Sequence, residues 1–465
     1  MTMNPARGGH GADGASAPAD RRTVLRGATV ITLDPELGDL EQADILIDGD
    51  TISAIAPHIE VDATTTVDAT GMIALPGFVD THRHTWQSAI RHGYAEMNPL
   101  QYFAEVLKGI GAAYEPDDVH IGTLMGAASA LNAGTTTLVD WSHIQNSAEH
   151  SDAAICGLAE SGIRAVFGHG WPLTADDRWT HQSALPHPID IERLQKQYFA
   201  GDRPLLTLAM AARGPEMTLP GIWRDDLQLA RDLGLRTSVH VGAYPHNAAH
   251  RAVTQYEKAG LLADDMTFVH CCRCTDEELA MIAAAGATVS LGVHCEMNSQ
   301  GIGDIPLDRM LAAGIRPSLS GDTETKCSAD MFTQMRLLYA YYRSWRGGGH
   351  STVPTPAVDL GLRDVLEFAT IEGARAVGLD NRIGTLTPGK QADIVLIRAT
   401  DVNLAPVLDP VAAVVLAAHE GNVDSVLVAG TFVKADGRPT LLDHSALIQE
   451  ARVSQQRILG RWTNR

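Results

Sequence analysis

Between residues 76 and 380 the chain alternates strand-like and helix-like segments, which constrains the fold more than any other feature. Amphipathic stretches such as DDVHIGTLMGAASALNAG (117–134) and TDEELAMIAAAG (275–286) separate several strand candidates. Such regular alternation favours a (β/α)8 TIM barrel over an open doubly wound sheet, whose Gly-rich fingerprint we do not find. We therefore predict an α/β fold. The eight strand candidates are IALPGFVDTHRH, TTTLVDWSHI, IRAVFGHGW, LLTLAMAARG, LRTSVHVGA, MTFVHCC, ATVSLGVHC and IRPSLSGDTE.

The two regions that flank this one show a different pattern of residues. Residues 22–75 and 381–440 contain short β-rich runs, among them TVLRGATVITL and AVVLAAH, broken by Gly and Asp turns. They predict one small β-sandwich domain formed from both chain ends. Residues 1–21 are rich in Gly, Ala, Asp and Pro and predict a disordered tail. We expect a helix over 441–465.

Charge and cysteine content narrow the class of protein. The chain has 36 Lys plus Arg and 56 Asp plus Glu, a net charge of −20, which argues against nucleic acid or an anionic membrane as partner. No apolar run approaches the roughly 18–20 residues that span a bilayer, and no secretory signal is found. We expect a cytoplasmic protein whose six cysteines are reduced thiols.

Histidine and aspartate residues stand at the ends of four of the predicted strands. His82 and His84 share one side of an extended chain because strand side chains alternate. His240, His270 and Asp322 end the fifth, sixth and eighth strands, and all strand ends of a barrel surround one mouth. Imidazoles with a carboxylate suit Zn²⁺, Co²⁺, Fe²⁺ or Mn²⁺ better than Mg²⁺ or Ca²⁺. The sequence therefore predicts a metal site at this mouth.

Several motifs resemble the amidohydrolase superfamily, in particular its cytosine deaminase and triazine hydrolase branch. They are LPGFVDTHRH (75–84), the strand-end His240, His270 and Gly321-Asp322, and IGTLTPGKQADIV (383–395). The resemblance implies a hydrolase in which His82, His84, His240 and Asp322 bind the metal. It also implies that Asp322 accepts a proton from water and that His270 contacts substrate or that water. Strand four lacks the lysine of binuclear members, so we expect one ion, Co²⁺ or Zn²⁺, with Mn²⁺ or Fe²⁺ as alternatives.

The chain departs from this branch three residues after His240. The branch's deaminases carry a Glu there, which protonates a ring nitrogen, whereas this chain has Ala243. Because the segment HRHTWQ (82–87) resembles molinate-type thiocarbamate hydrolases and phenylurea hydrolases, we expect cleavage of a thiocarbamate C–S or C–N bond. The alternatives are a phenylurea or amide hydrolase, and a deaminase or dechlorinase of an N-heterocycle that uses Glu296 or Glu324 as its acid.

Further polar and aromatic residues near the strand ends are candidates for substrate contact. The segment 172–190 follows strand three without an obvious period and is placed to cover the mouth. We expect a small uncharged organic substrate, and a homodimer or homotetramer in which the aromatic segment 337–346 is a candidate interface. The predicted substrate-binding residues are Trp86, Gln87, His169, Trp171, Arg213 and His187.

Overall fold

The structure is a computed structural model that describes residues 22–174, 176–201, 205–353 and 359–464. The predicted disordered tail, 1–21, lies outside the described residues. Within these ranges no helix is both long enough and apolar enough to cross a membrane.

The central element is a parallel eight-stranded sheet in which every strand neighbours the next one along the chain. A parallel bridge between Arg83 and Asp322 joins the first strand to the segment after the last, so the sheet closes on itself. The predicted (β/α)8 barrel is thereby confirmed, and each of the eight strand candidates contains one of its strands. These are β6 (Phe78–Arg83), β7 (Thr135–Ser142), β8 (Arg164–His169), β9 (Leu206–Ala212), β10 (Thr237–Val241), β11 (Met266–His270), β12 (Thr288–Leu291) and β13 (Ser318–Leu319).

A second, mixed sheet contains strands from both chain ends, as the sequence predicts. Its order is β17-β16-β15-β14-β5-β1-β2-β3, with β4 paired to β1. In the centre of this sheet β5 pairs with β14, which unites the two distant segments. The strands are β1 (Arg22–Val30), β2 (Leu40–Asp48), β3 (Thr51–Ala56), β4 (Thr65–Asp68), β5 (Met72–Pro76), β14 (Ile394–Arg398), β15 (Val423–Val428), β16 (Thr431–Ala435) and β17 (Arg438–Pro439).

Helices follow most barrel strands and cover the outside of the barrel. Short 3-10 segments lie at Thr85–Ile90, Gly111–Ala113 and Glu420–Asn422, and π-helical ones at Tyr102–Ile110 and Ala413–Ala417. The α-helices are α1 (Pro99–Gln101), α2 (Pro116–Asn132), α3 (Ala148–Ser161), α4 (Asp190–Tyr198), α5 (Pro220–Asp232), α6 (Pro245–Ala248), α7 (Ala252–Lys258), α8 (Asp276–Ala284), α9 (Val293–Asn298), α10 (Leu307–Ala312), α11 (Met331–Gly347), α12 (Leu362–Phe368), α13 (Ile371–Ala376), α14 (Pro410–Ala412) and α15 (His444–Thr463).

Local sequence signals explain one helix that was expected and one that was not. Thr275 caps α8 through a reciprocal hydrogen-bond pair with Glu278, which is a capping box. The run AVVLAAH (413–419) was expected to be a strand, and this prediction is wrong. Asp409 caps the segment by accepting from the backbone N–H of Ala412, and Pro410 occupies the first helical position, so the chain turns into a helix there.

A buried ion pair joins the barrel to the second sheet. Arg164, the first residue of β8, donates from Nε and Nη2 to the two carboxylate oxygens of Asp393, which precedes β14, at 3.0 and 2.9 Å. Both side chains are almost completely buried. Removal of either partner would leave a buried charge uncompensated, so the pair fixes the second sheet against the barrel wall.

Candidate metal centre

The four side chains predicted as metal ligands meet at the carboxyl end of the barrel. His82 lies in β6 and His84 directly follows it, while His240 lies in β10 and Asp322 follows β13. The Nε2 atoms of His82 and His240 are 3.2 Å apart. Oδ1 of Asp322 lies 3.7 Å from Nε2 of His82 and 3.6 Å from Nε2 of His84. Three segments far apart in the chain thus place their donor atoms around one point.

These separations fit a single small cation. Ligand atoms at about 2.0–2.1 Å from a tetrahedral ion lie about 3.3 Å from one another. The donor atoms of His82, His84 and His240 all lie within 4.8 Å of one another, so a small inward movement would complete the coordination. Strand β9 contains no lysine that could bridge a second ion. The set of nitrogen and carboxylate donors therefore suits one divalent transition metal ion.

The imidazoles are held in the protonation state that binds metal. Burial lowers the pKa of His82 and of His240, and it lowers the pKa of His84 to about 3, so these rings are neutral near pH 7. Nδ1 of His84 lies 2.8 Å from the backbone carbonyl of Trp141, to which it can donate. That hydrogen bond leaves the lone pair of Nε2 directed at the site, as in metal-bound histidines.

Backbone strain is concentrated at the same place. Asp322 has a φ of +52° and His270 a φ of +75°, both in the left-handed region that non-glycine residues seldom adopt. Asp322 is held there because its N–H donates to the carbonyl of His82 and its own carbonyl accepts from the N–H of His84, each at 2.9 Å. Such conformations cost roughly 1–3 kcal/mol each and persist where the surrounding structure enforces them.

His270 faces Asp322 and is oriented from behind by a second carboxylate. Its Nδ1 lies 3.1 Å from Oε1 of Glu296, and its Nε2 lies 4.0 Å from Oδ2 of Asp322. Burial alone would lower the pKa of His270, but the hydrogen bond to Glu296 and the nearby negative charges raise it. His270 can therefore carry a proton on Nε2 and donate it toward the centre of the site.

A cavity of about 520 Å³ opens above these residues. His84, His240, His270 and Asp322 lie in its wall. The segment predicted to cover the mouth contributes many residues of the wall, from Pro172 to His181. Aromatic side chains supply much of the remaining surface, namely Tyr102, Phe103, Trp141, Trp171, Trp179 and Tyr244.

Among the six predicted substrate-binding residues, Trp171 lines this cavity and packs edge-on against Trp141 at 5.2 Å. Trp86 and Gln87 lie behind the cavity wall, and their contact with substrate stays a prediction. Trp86 is fully buried, and its Nε1 lies 3.4 Å from Nδ1 of His143. Gln87 donates to the hydroxyl of Tyr102 at 2.7 Å and so supports a residue of the wall from behind.

His169, His187 and Arg213 are also absent from the cavity wall, and their contact with substrate stays a prediction. Nδ1 of His169 lies 3.0 Å from Nε2 of His187, and the other nitrogen of each ring has no hydrogen-bond partner. Arg213 donates to the carboxylate of Asp226 at 2.9 Å and to the carbonyl of Leu185 at 2.8 Å. Arg213 thereby ties the end of β9 to Leu185 and to α5.

Glu216 and Lys326 are among the charged residues of the cavity that were not predicted from the sequence. Glu216 follows β9, and its Oε1 accepts from the backbone N–H of Gly242 at 2.7 Å. Lys326 is 7% exposed, and its Nζ lies 4.3 Å from the ring centre of Tyr102. Neither follows a barrel strand directly, so the strand-end rule that found the histidines could not find them.

The two acids that were proposed to replace the missing Glu lie outside the cavity wall. Glu296 is bonded to His270 and accepts from the N–H of Gly292. Glu324 accepts from Arg83 and Arg91 and from the hydroxyl of Ser88. Both carboxylates are buried and hydrogen-bonded, while Oε2 of Glu296 has no hydrogen-bond partner, so their role as the acid for substrate stays a prediction.

The sequence profile of the amidohydrolase family matches residues 73–433, most of the chain. The chain belongs to the amidohydrolase family. It is similar to 5'-deoxyadenosine deaminase of Methanosarcina mazei, with 24% identity over 94% of this chain and 98% of the relative. It is also similar to 5-methylthioadenosine/S-adenosylhomocysteine deaminase of Moorella thermoacetica, with 27% identity over 91% of this chain and 96% of the relative.

Solved structures share the fold of this amidohydrolase. A zinc-bound adenosine deaminase from Xanthomonas campestris superimposes with a TM-score of 0.83 at 21% identity, covering 95% of this chain and 100% of that one. Zinc-containing atrazine chlorohydrolase from Arthrobacter aurescens gives 0.80 at 23% identity, covering 93% and 100%. Deaminases and an atrazine chlorohydrolase are thus among the proteins that this chain is similar to, and these comparisons lend no specific support to thiocarbamate or phenylurea hydrolases.

Proposed function

We propose that this amidohydrolase uses one divalent metal ion, zinc or cobalt, to hydrolyse an exocyclic C–N or C–Cl bond of a small uncharged N-heterocycle. The observation that carries the proposal is the convergence of the imidazoles of His82, His84 and His240 beside Asp322, at a cavity that several aromatic side chains line. The relatives support this reaction class, since they are named as deaminases of adenosine-type compounds and as a chlorohydrolase. A homodimer or homotetramer remains part of the proposal.

The chain's own residues supply proton handling and orientation. A bound divalent ion lowers the pKa of water and polarises the bond under attack. Asp322 is placed to accept the proton that the attacking water loses. His270 faces the same point at 4.0 Å from Asp322 and can donate a hydrogen bond to the oxygen of the attacking water. Trp171 and Tyr244 offer flat surfaces against which a heterocycle can stack.

A second candidate function is hydrolysis of a thiocarbamate, or of a related urea or amide. The specific observation that favours it is Ala243, which lines the cavity where the branch's deaminases carry Glu. A carbonyl carbon is already electrophilic and needs no protonated ring nitrogen. A thiolate leaving group needs little help from an acid, so this reaction tolerates the loss of Glu at position 243.

A product assay with four substrates separates the two candidates. Protein loaded with zinc or cobalt would be given an aminated purine, a chlorinated triazine, a dialkyl thiocarbamate and a phenylurea. Ammonia or chloride release would support the first candidate, and thiol or aniline release would support the second. Metal-free protein and the variant Asp322→Asn serve as controls, and we expect turnover to fall by about 10²–10⁴-fold in the variant. Turnover of none of the four would contradict both candidates.

A further inference from the structure

Glu216 lies against the segment in which this chain lacks the family's acid. Its Oε1 accepts from the N–H of Gly242, the residue immediately before Ala243. Both Glu216 and Ala243 line the cavity, together with His240 and His270. Ala243 has no side chain beyond Cβ, so space next to it is open to a carboxyl group that arrives from the end of β9.

The surroundings of Glu216 favour a carboxyl group that can hold a proton. Burial raises the pKa of Glu216 to about 7, although the hydrogen bond from Gly242 and the charge of His270 act in the opposite direction. A group with a pKa near neutrality can both give and regain a proton at physiological pH. The titratable and polar groups that face it from neighbouring elements are His270, Cys271, Tyr256, Glu278 and Asn247.

The other acidic residues of the wall have different partners. Asp176 pairs with Arg178, and Asp177 pairs with Lys108, on the segment that covers the mouth. Asp322 belongs to the proposed metal site. Among the ion pairs of the described residues none involves Glu216, whose carboxylate is held by the backbone of Gly242 and by Asn247. Glu216 is therefore the carboxyl group that remains for substrate.

We propose that Glu216 donates a proton to the substrate nitrogen next to the attacked carbon, in place of the Glu that is absent at position 243. The proposal rests on the proposed function. Water adds to the carbon and loses a proton to Asp322, while the C=N electron pair moves onto the nitrogen, which takes its proton from Glu216. The exocyclic C–N bond then breaks, the amine leaves with that electron pair and the proton from Asp322, and the ring nitrogen returns its proton to Glu216.

The test compares three proteins on an aminated purine. Glu216→Gln should lower kcat by about 10²–10⁴-fold, because a general acid contributes that much. The double variant Glu216→Gln, Ala243→Glu returns a carboxyl group to the same space from the other segment, and it should recover at least tenfold of the lost activity. Glu257→Gln, an exposed acid on α7, is the matched control and should keep full activity. Metal content and unfolding temperature should be equal in all variants.

Leaving groups and binding provide two further measurements. A dialkyl thiocarbamate has a carbonyl in place of the C=N bond and needs no proton from Glu216, so its turnover should change less than tenfold in Glu216→Gln. Calorimetry with unsubstituted purine, which cannot react, should show affinity at least tenfold weaker in Glu216→Gln and restored in the double variant. The role of Glu216 would be overturned by equal purine affinity in wild type and Glu216→Gln, or by no purine binding at all. It would also be overturned if kcat of Glu216→Gln stayed within threefold of the wild-type value. Weakened binding with no turnover of any substrate would overturn the proposed function alone.

Discussion

His169 and His187 are buried side by side at the end of β8, with a nitrogen of each ring 3.0 Å from the other. Burial lowers the pKa of His169 to about 4, and it lowers that of His187 as well. In the unfolded chain the pKa of a histidine is about 6.5. As the pH falls below that value, the two histidines bind protons in the unfolded state but stay neutral in the folded state. The free energy of unfolding therefore falls in acid.

We predict that the free energy of unfolding falls between pH 6.5 and pH 4, and that His169→Gln makes this fall shallower. One histidine contributes at most about 1.4 kcal/mol per pH unit within that window. Urea unfolding at several pH values, with a chelator present throughout, would measure both slopes. At pH 7.5 the free energy of unfolding of the variant should differ from that of the wild type only by the contribution of the lost hydrogen bond. Identical slopes in the two proteins would contradict the prediction.

The strand ends bring some of the predicted site residues together and leave others apart, for a physical reason. His82, His240 and Asp322 stand where β6, β10 and the segment after β13 face the axis of the barrel, so alternation along the strands predicted their meeting. Arg213 and His169 also end strands, but their side chains find partners in loops. The sequence shows that a residue lies at the end of a strand. It does not show which loop provides the hydrogen-bond partner of that residue.

At the scale of elements, α2 packs directly on the segment that follows the metal histidines. A Cβ at Gly122 would lie 2.5 Å from the carbonyl oxygen of Trp86, which is too close for any side chain. Gly460, within α15, has no neighbour within 4 Å of such a Cβ. The two positions are both helical glycines, and they differ in the space available to a methyl group.

Gly122→Ala should therefore lower the free energy of unfolding by about 1–3 kcal/mol, because helix and segment must move apart. It should also weaken metal binding, since Thr85–Ile90 directly follows His84. Gly460→Ala should raise stability by about 0.5–1 kcal/mol, because alanine loses less entropy in a helix. Thermal unfolding would measure the stability of the two variants, and metal titration would measure their affinity for metal. A Gly122→Ala protein that is more stable than the wild type would contradict this prediction, because it would show that α2 and the carbonyl of Trp86 can separate without loss of stability.

Element types were largely predictable, because hydrophobic periodicity reports them directly. The eight barrel strands and α8 follow from alternation and a capping box. The exception, Ala413–Ala417, is a run of small and branched apolar residues that a strand and a helix accommodate equally well. Its helical state depends on Asp409 and Pro410 just upstream, and on packing that no local pattern encodes.

At the scale of the whole molecule, the proposed metal site ties the first strand of the barrel to the fifth and to the segment after the eighth. Backbone hydrogen bonds join Asp322 to His82 and to His84 at the seam where the barrel closes. A ligand that binds only this closed arrangement stabilises the entire fold by mass action.

Addition of zinc to metal-free protein should therefore raise the unfolding temperature, and a chelator should lower it again. At a free metal concentration 100 times the dissociation constant the gain is about 2.7 kcal/mol. His82→Asn should remove most of the shift, whereas His120→Asn, on the outer helix α2, should retain it. Calorimetric scans with and without zinc would measure the shift, and metal analysis should give one ion per chain. The same zinc-dependent shift in His82→Asn and wild type would place the metal elsewhere, and two ions per chain would contradict a mononuclear centre.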